Sequence, residues 1–350
     1  MNPGYLTVLG LALIMALVLF LPFSVRKVEE ELEAFLLLMG FAAVTVSGVW
    51  SGELVWEALR APVPITLAVL GAGFVFRAAR PRIAVLVERI LDAFGLKAAV
   101  FMIVVVLGLV SSIITAIIAA LVLSEIITVL KLERKCEVRL VVLACLSIGL
   151  GAALTPVGEP LAAIAVAKLK GPPHHADIFY LWNLLWPWVL PGVAGTGLIA
   201  AAIASRQQES SEAGLRVHGT ETDGIIALRS VKVYLFVAAL ALLGTGLAPL
   251  AEITAAKMRP GGIYWLNMVS AALDNATLAA AEITPSMPEE TIRALLLGLL
   301  ISGCMLVPGN IPNIVSAAKL NIKSREWAAF AVPLGLAIML VYFIILEVLA

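Results

Sequence analysis

The sequence predicts an all-α, polytopic membrane protein of about eight transmembrane helices plus two re-entrant hairpins, in an inverted repeat with two broken helices. Three observations lead there. Of 350 residues, 61% are hydrophobic and only 14% are charged, with a mean hydropathy of +1.04. A soluble domain carries roughly 25% charged residues, so this chain has too little charge to cover a water-facing surface. The apolar residues fall in runs of membrane-spanning length, and the two halves of the chain repeat one succession of motifs.

The same composition excludes several functions. Net charge is zero, from 24 Lys+Arg and 24 Asp+Glu, so no basic field exists to attract nucleic acid. Cys136, Cys145 and Cys304 show no paired spacing, which argues against a disulfide framework or a thiolate metal site. No phosphate-binding glycine loop, zinc-protease helix or serine-hydrolase elbow occurs, so the chain is not expected to be an enzyme or to need a cofactor.

Taken in order, Tyr5–Pro22 has no positive charge before it and Arg26-Lys27 just after it. A secretory signal has the reverse order, so this is read as a retained helix entering from outside. Ala34–Trp50 and Ala61–Phe76 follow, both uncharged apart from their flanks. Lys97 then opens Ala98–Ser124, whose apolar character continues to Leu130. As one helix that run would be roughly 50 Å long against a hydrocarbon core of about 30 Å, so it is read as folding back on itself. Leu140–Ala167 is interrupted by Thr155-Pro-Val-Gly-Glu-Pro160, and Ile178–Ala204 carries Pro187 and Pro191. The polar stretch Arg206–Arg229 is the one plausible linker. Beyond it lie Val233–Ala251, then Gly261–Ile283 with Asp274 inside, then Ala294–Ala318 interrupted by Pro308-Gly-Asn-Ile-Pro-Asn313, and finally Trp327–Leu346. The organisation is therefore residues 1–97 (first helices), 98–205 (first repeat), 206–229 (cytoplasmic linker), 230–260 (opening helix of the second repeat) and 261–350 (its remaining elements).

The repeat is legible in detail. Ser111-Ser112-Ile-Ile-Thr115 leads to Glu125, and Ser270-Ala-Ala-Leu-Asp274-Asn275 leads to Glu282. Each half then has two prolines four apart (Pro156/Pro160, Pro308/Pro312), an Ala-Lys-Leu (167–169, 318–320) and a closing span with Trp and Pro. Three true crossings per repeat invert the second half relative to the first. Placing both termini outside puts 18 basic residues in the cytoplasm and 6 outside, in keeping with the positive-inside rule.

Ionisable groups inside hydrocarbon are costly, so Asp274 and Glu159 are the leading candidates for a functional site. Asp274 sits where the second hairpin would turn, beside Asn275 and Thr277. Glu159 sits in a segment that Pro156, Gly158 and Pro160 force to unwind, freeing carbonyls that are natural cation ligands. Asn310 and Asn313, next to Pro308, Gly309 and Pro312, occupy the matching break and either supply neutral oxygens or cap the broken helices. Ser270 and Thr155 complete the oxygen set; Ser111, Ser112 and Thr115 form the first hairpin tip. Glu125 and Glu282 lie near hairpin ends and are read as solvated. His174-His175 and Asp177 lie in a Gly-Pro-Pro loop, where adjacent side chains converge poorly on one metal, so no transition-metal site is expected.

The Ser…Asp274-Asn275 tip and the Thr155-Pro-Val-Gly-Glu159 break resemble the ion transporter superfamily, and within it the NhaD-type sodium/proton antiporters. The run Pro308-Gly-Asn-Ile-Pro-Asn313 is more like a smaller prokaryotic family of uncharacterised cation transporters. The resemblance covers roughly residues 98–345. It implies an elevator-type secondary transporter of the prokaryotic plasma membrane, usually a homodimer. Two hairpins and two broken helices would move against a scaffold of the first three helices plus Val233–Ala251. The first tip departs from the family in lacking Asp-Asn or Ser-Asn-Thr.

The resulting expectation is Na⁺ (or Li⁺)/H⁺ antiport, with Glu159 and Asp274 sharing a site where proton and cation compete. The alternative is Na⁺-coupled symport of a small carboxylate or other anion. Two carboxylates, with no membrane Arg or Lys to offset them, disfavour it, while half-helix N-termini favour it. An intramembrane aspartyl hydrolase would need a second deep aspartate. Inorganic cation and membrane lipid are the expected partners.

Overall fold

Every regular element is helical among the residues that the computed structural model describes: 4–130, 132–208, 222–255, 260–268 and 275–349. The chain opens with α1 (Tyr5–Ser24), α2 (Arg26–Glu30), α3 (Leu32–Ser47) and α4 (Gly52–Arg60). Gly48 ends α3 with φ 71°, turning its N–H back onto the Val44 and Thr45 carbonyls. The Ser51 hydroxyl then caps α4 by accepting from the Leu54 N–H at 3.0 Å. Hydropathy alone passes over α4. It is amphipathic, burying Leu54 and Ala58 one turn apart and leaving Glu53 and Glu57 exposed.

Next comes α5 (Pro62–Ile114), interrupted at Gly95, which has φ 71° and ψ 164°. The sequence reading ended an apolar span at Phe76 and placed the arginines after it in the cytoplasm. Helix instead runs on through Arg77–Arg89, because Ala, Leu, Val, Arg and Glu dominate this stretch and all but Val are good helix formers. The interruption comes where glycine permits positive φ. At Thr115 the backbone again takes positive φ (75°), and α6 (Ala116–Leu130) packs back against α5.

The remaining elements are α7 (Arg134–Ala152), α8 (Pro160–Lys168), α9 (Tyr180–Gln208), α10 (Asp223–Ala255), α11 (Pro260–Leu266), α12 (Asn275–Glu282), α13 (Glu289–Ser302), α14 (Ile311–Leu320) and α15 (Ser324–Leu349). The expected linker 206–229 is shorter than its polarity suggested, since helix covers it up to Gln208 and again from Asp223. Its middle lies outside the described residues.

Six described helical stretches are long and apolar enough to cross a membrane: Tyr5–Pro22, Gly52–Ala79, Pro81–Ile114, Tyr180–Arg206, Asp223–Leu250 and Ser324–Val348. The sequence reading expected about eight crossings. The difference has a physical source. Three expected crossings drop out, because Leu32–Ser47 is apolar but short and each broken helix consists of two halves too short or too charged to span alone (19 and 9 residues for α7 and α8, 14 and 10 for α13 and α14), while Pro81–Ile114, whose second part was read as a re-entrant arm, is added.

Two packing groups organise the chain. In one, α3 lies along α10, with α1 and α4 against them. In the other, α5, α7 and α9 pack mutually, and α7 is buried almost throughout, from Leu140 to Ala152. Where α5 meets α7 the backbones nearly touch. A Cβ on Gly151 would fall inside the Gly108 carbonyl, and Ser111 Oγ lies 3.0 Å from the Ile148 carbonyl oxygen. Small residues and hydroxyls of this kind hold helices together where no hydrophobic drive exists between them.

Candidate functional site

The two expected helix breaks are present. In the first, α7 ends at Ala152, turns fill Ala153–Gly158, and α8 starts after Glu159 with Pro160 at its first position. Proline is suited to that place, since the N–H it lacks would have had no helical partner. Gly158 is dictated by space, because a Cβ there would overlap the Ala152 carbonyl. In the second break, α13 ends at Ser302, Val307–Gly309 forms a single 3-10 turn containing Pro308 and Gly309, and α14 starts after Asn310. Pro312 belongs to the first turn of α14 rather than to the break itself.

The first hairpin tip sits on the first break. The Ala116 N–H donates to the Gly158 carbonyl at 2.8 Å, and the Thr155 hydroxyl donates to the Ser112 carbonyl at 2.5 Å. Ser111 and Ser112 turn their hydroxyls onto the Gly108 and Leu109 carbonyls of their own helix, at 2.6 and 2.7 Å. These two serines therefore tie down backbone, and Thr155 does the same; Thr155 had been expected among the cation ligands.

The start of α12 meets the second break. Asn275 is buried at the start of α12, where a Cβ on Gly303 would overlap its amide, and neither Asn275 Oδ1 nor Nδ2 has a hydrogen-bond partner. Asn313 is fully buried and donates through Nδ2 to the Gly303 and Leu306 carbonyls at 2.8 and 2.9 Å. It thus ties the second half-helix to the unwound end of the first, while its Oδ1 accepts nothing. Both of its anticipated roles are open to one side chain. Thr277 falls within α12. Ser270 and Asp274, the leading aspartate of the sequence reading, lie outside the described residues.

The two breaks approach each other. Asn310 reaches the first broken helix, where a Cβ on Gly149 would lie 2.8 Å from its Nδ2, and Cys145 Sγ lies 3.6 Å from the Pro312 carbonyl oxygen. Glu159 and Asn310 hold corresponding positions, each the extended residue before a half-helix, each buried, and neither capping that helix with its side chain. Both half-helices therefore start without a side-chain cap, so the positive end of each helix dipole lies at its break.

Each hairpin also packs on the opposite half of the chain, α6 on α14 and α12 on α8. Here two expectations fail. Glu125 and Glu282 are not solvated helix ends; they are 3% and 4% exposed. Nor is the interior without basic groups: Lys319 is buried and pairs with Glu125 at 2.5 Å. Lys168, its counterpart in the other Ala-Lys-Leu, sends Nζ to the Ala280 and Ile283 carbonyls at the end of α12. Sequence reasoning took these helix ends to lie at the water boundary, where a long side chain reaches solvent. Neighbouring helices cover them instead, which a single chain's hydropathy does not reveal. The recurring Glu and Ala-Lys-Leu were the signal that could have paired them. Asn267, also missed, is buried between α11 and α13 and donates to the Leu295 carbonyl at 3.3 Å. His174 turns its ring to the Met287 carbonyl and the Tyr180 hydroxyl, at 2.9 and 3.3 Å.

These features define an integral membrane protein, all-helical in its described residues, with two interrupted helices. The chain belongs to the family described as "Protein of unknown function (DUF1646)", whose model matches residues 8–349. A comparison with curated proteins gives no match.

Proposed function

We propose that this protein is a secondary active ion transporter, a sodium (or lithium)/proton antiporter working by elevator-type alternating access. The observation that carries the proposal is the convergence at the breaks. A buried carboxylate, Glu159, and a buried amide, Asn310, stand at the uncapped starts of two half-helices, the second half-helix rests on α7 of the other broken helix, and a hairpin tip is bonded across the first break. Unwound backbone inside a membrane is tolerated where it lines a polar cavity, and broken helices in matching halves are the recurrent architecture of transporter sites. Glu159 and Asp274 hold the cation with oxygens from Asn275, Asn310 and Asn313, and a proton replaces it when it leaves. Competition for one site couples the two fluxes.

In this reading the hairpins and broken helices are the moving unit, and α1, α3 and α10 belong to the scaffold of a homodimer in the prokaryotic plasma membrane, with both termini outside. The resemblance of the Asp274-Asn275 tip and the Thr155–Glu159 break to NhaD-type antiporters supports it. One observation favours Na⁺-coupled symport of a small carboxylate as a second reading: the uncapped N-termini of α8 and α14 suit an anion.

Purified protein in sealed liposomes with an acidic lumen, clamped to zero voltage by valinomycin and balanced K⁺, separates the two. Entry of ²²Na⁺ matched by lumen alkalinisation, indifferent to external dicarboxylates and abolished in Glu159→Gln and Asp274→Asn, is the expected result. Full exchange in both variants overturns the site, and Na⁺ entry only with an added anion makes the protein a symporter.

A further inference from the structure

The two hairpins carry equivalent carboxylates with unequal surroundings. Glu125, on the returning arm of the first, is neutralised by the Lys319 ammonium at 2.5 Å, with both side chains only 5% exposed. Glu282, on the returning arm of the second, is buried as deeply. Yet the lysine that corresponds to Lys319 does not reach it: Lys168 is committed to the carbonyls of Ala280 and Ile283. Among the described residues Glu282 makes no ion pair, and its Oε2 accepts no hydrogen bond. Among the described residues its polar partner is the Asn267 side chain, within hydrogen-bonding reach, 1% exposed and with an Oδ1 that likewise accepts nothing. Glu282 is moreover the last residue of α12, so the negative end of that helix adds to its own charge. An isolated buried carboxylate is costly, and a proton, a paired base or a bound cation relieves it. The first hairpin has the base built in.

We propose that Glu282 and the Asn267 side-chain oxygen form a second binding site for a hard monovalent cation, in the place that the Lys319 ammonium fills in the other half of the molecule. Sodium is the ion named because the inference rests on the transport reading for the ion's identity. The site itself is separate from Glu159 and the breaks. The atoms of the two side chains able to ligate an ion are oxygens, which suits an alkali ion over the softer transition metals.

The test is equilibrium binding of ²²Na⁺ to the purified full chain in detergent, with choline replacing sodium at constant ionic strength. Wild type is expected to hold about two Na⁺ per chain and Glu282→Gln about one, with Glu159→Gln losing the other. Asn267→Leu keeps both sites but weakens the Glu282 site about tenfold, the loss of one ligand. Undiminished binding in Glu282→Gln overturns the inference whatever Glu159→Gln does. Loss in Glu282→Gln with none in Glu159→Gln upholds this site and removes the one assigned under the transport reading. No Na⁺ on wild type overturns both. If Glu282→Gln is not monodisperse, Asn267→Leu decides, and unchanged affinity at both sites overturns the inference.

Discussion

Replacing Lys319 by methionine isolates the energetics of the buried pair. The ammonium and carboxylate are 2.5 Å apart and 5% exposed on each side. With an effective dielectric constant near 20, their attraction is about 7 kcal/mol. Most of that offsets the loss of hydration that two buried ions suffer, so the intact pair adds little net stability. Lys319→Met removes the attraction and leaves the Glu125 carboxylate dehydrated, which costs about 3–5 kcal/mol. Glu125→Gln removes the opposite charge and costs a similar amount. The double variant leaves no charge behind and returns to within about 1–2 kcal/mol of wild type. Reversible unfolding in mixed dodecylsulfate micelles, followed by tryptophan fluorescence, measures all four proteins. Equal stability of Lys319→Met and wild type, or a double variant as damaged as either single one, refutes the argument.

Three further substitutions test the close contacts in the same assay. Gly151→Ala places a methyl group in the Gly108 carbonyl, backbone against backbone, and should cost more than about 3 kcal/mol or prevent recovery of monodisperse protein. Asn313→Ala severs the bonds to Gly303 and Leu306 and should cost about 1–3 kcal/mol, with cation exchange falling because the second break loses its tie. Thr115→Gly relieves a positive φ paired with ψ 149°, a region that side chains avoid, and should stabilise the fold by about 1 kcal/mol.

Much of this architecture is written locally in the sequence. Both interruptions fall where proline and glycine cluster, at Thr155–Pro160 and Pro308–Asn313, because those residues remove donors or need room that a continuous helix denies. The first hairpin turns within the Ser111–Thr115 motif that the repeat singled out. What hydropathy misjudged was anything depending on neighbours. The charged stretch after Phe76 is not apolar enough to be read as part of a span, although Ala, Leu, Arg and Glu favour helix there and helix continues past Pro81 as far as Gly95. Glu125 and Glu282 were taken as water-facing because each lies near the end of an apolar run, and the packing of α6 on α14 and of α12 on α8 buries them. Ser111, Ser112 and Thr155 carried oxygens suited to a ligand role, and backbone carbonyls within reach claimed their protons.

The pairing of each hairpin with the opposite half of the chain has a consequence for biogenesis. Ser124, beside Glu125, lies against Ser316, 192 positions further on. When the first hairpin leaves the ribosome its glutamate has no lysine to meet, and must wait for nearly the whole remaining polypeptide to be made and inserted. Until then the nascent chain holds an uncompensated acid that disfavours settling into lipid, so the hairpin is best kept at the insertion machinery or at the membrane surface. The two halves would then close upon each other in one late step, and truncation anywhere before Lys319 should leave a product for quality control to remove rather than a stable half-molecule.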